Sequence, residues 1–145
     1  MTAEPINLEG VKKLVKNDSG KLRLINIWAT FCGPCVIEFP ELVTINRMYR
    51  GREFELVSIS VDAASEKGKV LAFLKDKQAS FKNCQYSFDA DIYALIDAVD
   101  ENWPGPIPYT LLVKPGGEVL YRHLGMIDPL EVKKAIVEYV GRTYK

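Results

Sequence analysis

The stretch that most constrains this chain is the passage from an apolar run into a pair of cysteines. Leu22 to Ala29 is rich enough in branched residues to be a buried strand. Pro34 to Arg50 reads as a helix, and Thr30-Phe31-Cys32-Gly33-Pro34-Cys35 joins the two. Cys32 therefore falls at a strand-to-helix turn, at the N-terminus of the helix. The first helical N–H groups have no intrahelical partner there, and the macrodipole leaves partial positive charge. A thiolate is stabilised at such a point, and the thiol pKa drops below its free value. Cys35 lies one turn further in, close enough for its sulfur to reach that of Cys32, so reversible disulfide formation is the chemistry to expect. A C-x-x-C pair on its own also serves zinc sites and structural bridges.

A length of 145 residues fits a single domain, 1–145. Hydrophobic residues make up 48% and charged residues 26%, enough for a core that needs no disulfide stapling. Lys+Arg and Asp+Glu are both 19, and this zero net charge gives no nucleic-acid footprint and no electrostatic membrane surface site. No run approaches the length of a membrane span. Met1 to Asn7 has neither the basic region nor the apolar core of a signal peptide. The three cysteines fit either side of a membrane.

Along the chain, Asn7 caps a short helix, Leu8 to Lys16, with Leu8, Val11, Leu14 and Val15 on one side. The strand Leu22–Ala29 and the motif helix follow. That helix carries Ile37, Leu42, Ile45 and Met48 as apolar positions, and Pro40 inside it should kink it. Phe54 to Val61 is a second strand, parallel to the first, ended by Asp62. A helix from Ser65 carries Val70, Phe73, Leu74 and Lys77. Ala79 to Phe88 is irregular, with a short strand around Gln85 to Phe88. Asp89 or Asp91 starts a helix with Ile92, Leu95, Ile96 and Val99 at helical spacing. The loop Asn102 to Pro108 leads into a hairpin, Tyr109–Lys114 and Glu118–His123, around Pro115-Gly116-Gly117. Asp128-Pro129-Leu130-Glu131 is a capping box opening a last helix to about Arg142, with Val132, Ile136, Val137 and Val140 inward. The order β-α-β-α-(β)-α-β-β-α predicts a mixed central sheet with helices on both faces.

Trp28 stands four residues before Cys32, Gly33 and Pro34 fill the gap, and Glu38 and Pro40 follow Cys35. This W-x-x-x-C-x-x-C-x-x-E-x-P pattern resembles the TlpA/ResA branch of thioredoxin-like thiol–disulfide oxidoreductases. The resemblance implies an α/β thioredoxin-like fold with an inserted βα-type segment before a cis-proline loop. It implies that Cys32 attacks a substrate disulfide and that Cys35 resolves the mixed disulfide. Ile107-Pro108 is similar to the family's cis-proline loop, which would present the Ile107 backbone beside Cys32. Trp28 would pack under the active-site loop and shield the sulfurs, or be an ordinary core tryptophan. The partners implied are a protein disulfide substrate and an upstream dithiol electron donor, with no metal and no organic cofactor. The chain is expected to be a monomer. The expected compartment is extracytoplasmic, with a signal or anchor missing from this chain, and the alternative is cytoplasmic. Gly-Pro between the cysteines also occurs in thioredoxin, whose potential is about −270 mV against about −120 mV for the strongly oxidising periplasmic type, and this favours a reductant.

Other residues depart from the family or leave two readings. Asn26 stands where thioredoxin proper has a buried Asp that helps move the proton of the second cysteine; asparagine cannot titrate, and proteins of the TlpA type commonly carry it at this place. Glu38 is the nearest carboxylate in sequence that can replace it, or else a solvated helix residue or an ion-pair partner. Trp103 is either a rim for partner binding or a half-buried aromatic. Cys84 reads as a free structural cysteine in a polar irregular stretch, and His123 as a surface residue. Two alternatives accompany the oxidoreductase reading. One is a peroxiredoxin-like thiol peroxidase, although Asn26 rather than Pro lies four before Thr30 and a single residue separates Thr30 from Cys32. The other is a non-catalytic binding domain whose C-x-x-C is structural or holds a metal.

Overall fold

The computed structural model describes residues 1–87 and 90–143. Its strands are β1 (Glu4–Pro5), β2 (Leu22–Trp28), β3 (Phe54–Ser60), β4 (Lys82–Gln85), β5 (Tyr109–Val113) and β6 (Val119–Leu124). They form one sheet in the order β1-β4-β3-β2-β5-β6. β2 is parallel to β3 and antiparallel to β5, and every residue in it is buried. Both of its faces are covered, so its sequence is a continuous apolar run rather than an alternation. β6, at an edge, alternates half-buried and exposed positions. In the turn between β5 and β6, Gly117 donates to the Lys114 carbonyl at 2.9 Å and Gly116 has φ 98°, which glycine reaches without strain.

Five helices are described: α1 (Leu8–Lys16), α2 (Gly33–Tyr49), α3 (Lys67–Asp76), α4 (Ile92–Val99) and α5 (Pro129–Thr143), with a 3₁₀ turn at Ala64–Glu66 leading into α3. Adjacent residues of β6 reach opposite faces. The Tyr121 hydroxyl meets Glu131 of α5, and the Arg122 guanidinium meets Asp100 at the end of α4. α1 packs with α4, whereas α2 packs with α5 and, through Phe39 and Phe73, with α3. Helices therefore cover both faces, and the architecture is the thioredoxin-like mixed sheet. The segment between β3 and Pro108 holds α3, β4 and α4. Among the described residues no helix is long and apolar enough to cross a membrane.

Several local expectations are corrected. The short strand lies at Lys82–Gln85, not Gln85 to Phe88, and Phe88 and Asp89 lie outside the described residues. Cys84 thus sits in a strand, between β1 and β3, rather than in an irregular stretch. β1 itself was not predicted, because two residues carry no periodicity. The α4 cap is Asp91, whose carboxylate accepts from the Ala94 N–H at 3.0 Å. Ile37, Met48 and Val137 face solvent. On α2 the buried residues are Cys35, Glu38, Phe39, Leu42, Val43, Ile45, Asn46 and Tyr49. Ile37 and Met48, eleven residues and so about three turns apart, share the opposite side.

Asn17 closes α1 in the left-handed region, at φ 49°. Its buried side-chain amide donates to the carbonyls of Lys21 at 2.7 Å and Val113 at 3.0 Å, tying the helix end to β5. Asn17→Ala removes both donors and loses the residue type best suited to that backbone. The expected loss is about 3 kcal/mol, read as a lower urea midpoint at unchanged slope. A loss below about 1 kcal/mol would mean that the amide is not holding this junction.

Candidate active site

The site forms where β2 and β3 end side by side. Asp62, two residues past β3, is buried and accepts from the Thr30 N–H at 3.0 Å, from the Thr30 hydroxyl at 2.5 Å and from the Ser60 hydroxyl at 2.5 Å. The Cys32 N–H donates to the Ala29 carbonyl at 3.2 Å, which closes the turn. Cys32 is the N-cap of α2, with extended φ and ψ, and its sulfur accepts from the Cys35 N–H at 3.3 Å. The sulfur occupies the position that an Asp or Ser oxygen takes at other helix starts. Pro34 has no N–H, so the third helical residue supplies this donor. Cys32 and Cys35 form a disulfide, with Cα atoms 5.3 Å apart. Cys32 keeps 9% of its surface exposed and Cys35 none, so only the first sulfur meets a partner from solution.

The Ile107–Pro108 peptide bond is cis, and the Ile107 carbonyl lies 3.8 Å from the Cys32 sulfur. Gly33 and Pro34 are exposed at the helix start. Trp28 is fully buried, its ring 4.7 Å from that of Phe39 and 5.1 Å from that of Phe73. It belongs to an aromatic cluster between β2, α2 and α3.

Glu38 is not a solvated residue. It lies on the buried stripe of α2 at 2% exposure. Its carboxylate accepts from the Ile127 N–H at 2.7 Å and from the Asn26 amide at 3.2 Å. Burial pushes the Glu38 carboxyl above its ordinary value, against the pull of the Ile127 and Asn26 hydrogen bonds and of the His123 charge. Asn26 also donates to the Thr110 hydroxyl at 3.1 Å. Strand register places Asn83, Ser58, Asn26, Thr110 and His123 in one row across β4, β3, β2, β5 and β6. His123 is accordingly half-buried and stacked on Tyr121 rather than at the surface. Asn26 within the apolar β2 and Thr110 within the apolar β5 are the sequence signal for this row.

Trp103 is neither rim nor half-buried: it is 3% exposed, its ring stacks on Tyr109 at 5.3 Å, and its Nε1–H donates to the Pro106 carbonyl at 2.7 Å. Cys84 is buried in β4, away from the disulfide pair, and burial pushes its thiol up. Among the described residues no group of three or more His, Cys, Asp or Glu side chains is placed to hold a metal ion.

The AhpC/TSA family matches residues 3–122. The chain belongs to this family. The thiol-disulfide oxidoreductase ResA of Bacillus subtilis is 32% identical over 101 residues, which cover 70% of this chain and 51% of that protein. ResA of Oceanobacillus iheyensis is 30% identical over 105 residues, covering 69% of this chain and 47% of that one. The chain thus spans about half the length of these curated relatives. A thiol:disulfide interchange protein of the thioredoxin family from Chlorobium tepidum TLS superposes with a TM-score of 0.67 at 21% identity, over 96% of this chain and 95% of that one. At that identity the likeness bears on the fold, which is thioredoxin-like. The Thr30 hydroxyl is committed to Asp62.

Glu38 also sets a pH dependence. Its folded pKa lies above the unfolded one, so the native state holds the proton more tightly. Stability then falls as pH rises from the ordinary carboxylate range through the raised value. Glu38→Gln removes this contribution, so the difference in unfolding free energy between the two proteins changes with pH in that window and is flat above it. A difference independent of pH would show that Glu38 ionises in the fold as it does in the unfolded chain.

Proposed function

We propose that the chain is a thiol–disulfide oxidoreductase that reduces protein disulfides by dithiol exchange through Cys32 and Cys35. The observation that carries the reading is the asymmetry of the pair. Cys32, at a helix N-terminus, keeps a small exposed surface, with the Cys35 N–H on its sulfur and the Ile107 carbonyl beside it, and Cys35 is fully buried behind it. The Cys32 thiolate attacks one sulfur of a substrate disulfide, and the other substrate sulfur leaves as a thiolate. The Cys35 thiolate then attacks the Cys32 sulfur and expels the second substrate thiolate, leaving the Cys32–Cys35 disulfide. An upstream dithiol protein returns the two electrons. The Ile107 backbone pairs with an extended substrate segment at Cys32. Glu38, one turn beyond Cys35 and held by Asn26 and Ile127, takes the proton of the second cysteine in place of the acid missing at Asn26. Gly33-Pro34 leaves few N–H donors at the thiolate, which favours a reducing direction.

No metal and no organic cofactor enters this scheme. The protein acts as a monomer outside the cytoplasm, a placement that rests on the family resemblance alone. A thiol peroxidase needs a hydroxyl beside its reactive sulfur, and the bond from Thr30 to Asp62 argues against that alternative. A purely structural C-x-x-C gains nothing from leaving one sulfur less buried than the other.

Serine substitutions separate the roles. Cys35→Ser is expected to accumulate a covalent mixed disulfide with a disulfide-containing protein such as insulin, detected by mass, and Cys32→Ser to accumulate none. Turnover retained in both variants overturns the assignment. Peroxide consumption by the reduced protein far above that of free cysteine favours the peroxidase instead.

A further inference from the structure

The loop that places Ile107 beside Cys32 contains Pro104, Pro106 and Pro108. Three prolines in five residues remove three N–H donors, so the loop has little backbone with which to hold itself. The Pro108 carbonyl accepts from the Gly125 N–H at 2.8 Å, and the rest of the grip comes from side chains on the α4 face of the sheet. Asp100, just past α4, is buried. Its carboxylate accepts from the Tyr109 hydroxyl at 2.7 Å, from the Arg122 Nε–H at 2.8 Å and from the Asn102 N–H at 3.2 Å. Tyr109 begins β5, immediately after Pro108, and Arg122 lies on β6. Trp103, whose N–H donates to the Asp100 carbonyl at 3.0 Å, stacks on the Tyr109 ring and gives its Nε1–H to the Pro106 carbonyl. Burial works against the Asp100 charge, but the Arg122, Tyr109 and Asn102 bonds outweigh it and hold the carboxyl below its ordinary range. Burial and the bond to Asp100 push the Tyr109 hydroxyl up to about 12, so it remains a donor.

We propose that Trp103 and Asp100 are positioning residues for substrate binding: through Tyr109, Arg122 and the Pro106 carbonyl they hold the Ile107 carbonyl at Cys32, where a peptide segment flanking the substrate cysteine pairs with it. The inference rests on the oxidoreductase reading and goes beyond it by assigning peptide recognition to a cluster that touches neither sulfur. A small thiol bonded to Cys32 has no backbone to pair with Ile107, whereas a peptide thiol has. The cluster therefore acts on the preference of Cys32 for a peptide over a small thiol.

The test uses the full chain carrying Cys35→Ser, with Cys32 held as a mixed disulfide with 2-mercaptoethanol. A short peptide with one central cysteine is added. Its thiolate attacks the 2-mercaptoethanol disulfide at Cys32, a Cys32–peptide disulfide forms and 2-mercaptoethanol leaves, with no net oxidation. Mass spectrometry gives the equilibrium ratio. Trp103→Phe keeps the ring on Tyr109 and loses the bond to Pro106, and it is expected to lower the preference for peptide about fivefold. Asp100→Asn keeps the shape, weakens the hold on Tyr109 and Arg122, and moves the ratio the same way. A cluster with a purely structural role shifts the melting temperature and leaves the ratio alone, and an unchanged ratio in both variants overturns the proposal. If the Cys35→Ser protein forms no mixed disulfide with either thiol, the oxidoreductase reading itself fails and the loop's role with it.

Discussion

The position of the α2 N-terminus governs this structure. A sulfur can act as N-cap only where a strand ends at a helix start, and here that junction is held from beneath. Because β2 and β3 are parallel, their C-terminal ends meet at the same edge of the sheet. Asp62, just past β3, therefore reaches Thr30, just past β2, and fixes the turn by its backbone and its hydroxyl. An antiparallel pair would have put these two residues at opposite ends of the sheet. The register that builds the core thus also builds the redox turn.

The buried carboxylate of Glu38 follows from a second constraint. A charged group in the interior has to be hydrogen-bonded, and two carboxylates at one place cannot both ionise. Asn26 meets both requirements, because it donates to Glu38 and brings no charge of its own. An aspartate at position 26 would face Glu38 with a second negative charge and no donor. Asparagine on β2 and glutamate on α2 are therefore one arrangement, in which the single acid sits on the helix rather than on the strand. The polar row through Thr110 to His123 extends this arrangement to the sheet edge.

These relations explain what was legible in the sequence. The order of elements, the parallel pairing of the two apolar strands and the hairpin all depend on local periodicity and turn chemistry, and each could be read before the structure was known. Cys32 and Cys35 were legible because their spacing and the flanking strand and helix are local as well. Glu38 has two readings in the sequence, since hydrophobicity does not show which side of α2 faces the sheet. Ile37 and Met48 are apolar and exposed, whereas Glu38 and Asn46 are polar and buried. A helix that carries polar side chains on its inner face breaks the amphipathic rule that locates inner faces. Asp62, Thr110 and Ile127 were not legible as site residues, because their partners lie 32, 84 and 89 positions away.

The two halves of the site are held by different means. On the α2 side the donors and acceptors are mostly backbone and short polar side chains, which fix the sulfur to within the tolerance of a helix start. On the loop side three prolines have removed N–H donors, and the hold passes to the Trp103 indole within the loop and to the Tyr109 and Arg122 side chains of β5 and β6, gathered on Asp100 just past α4. Their bonds to Asp100 converge on one carboxylate, so displacing any one weakens the hold of the others. The groups that set the chemistry of Cys32 and the groups that set what lies against it therefore share no side chain among those described. Substitutions on the α4 face can alter recognition without touching the redox turn, and substitutions around Asp62 can alter the turn without touching the loop. That independence follows from placing the Asp62 support at the C-terminal edge shared by β2 and β3 and the Asp100 support on the α4 face of the same sheet.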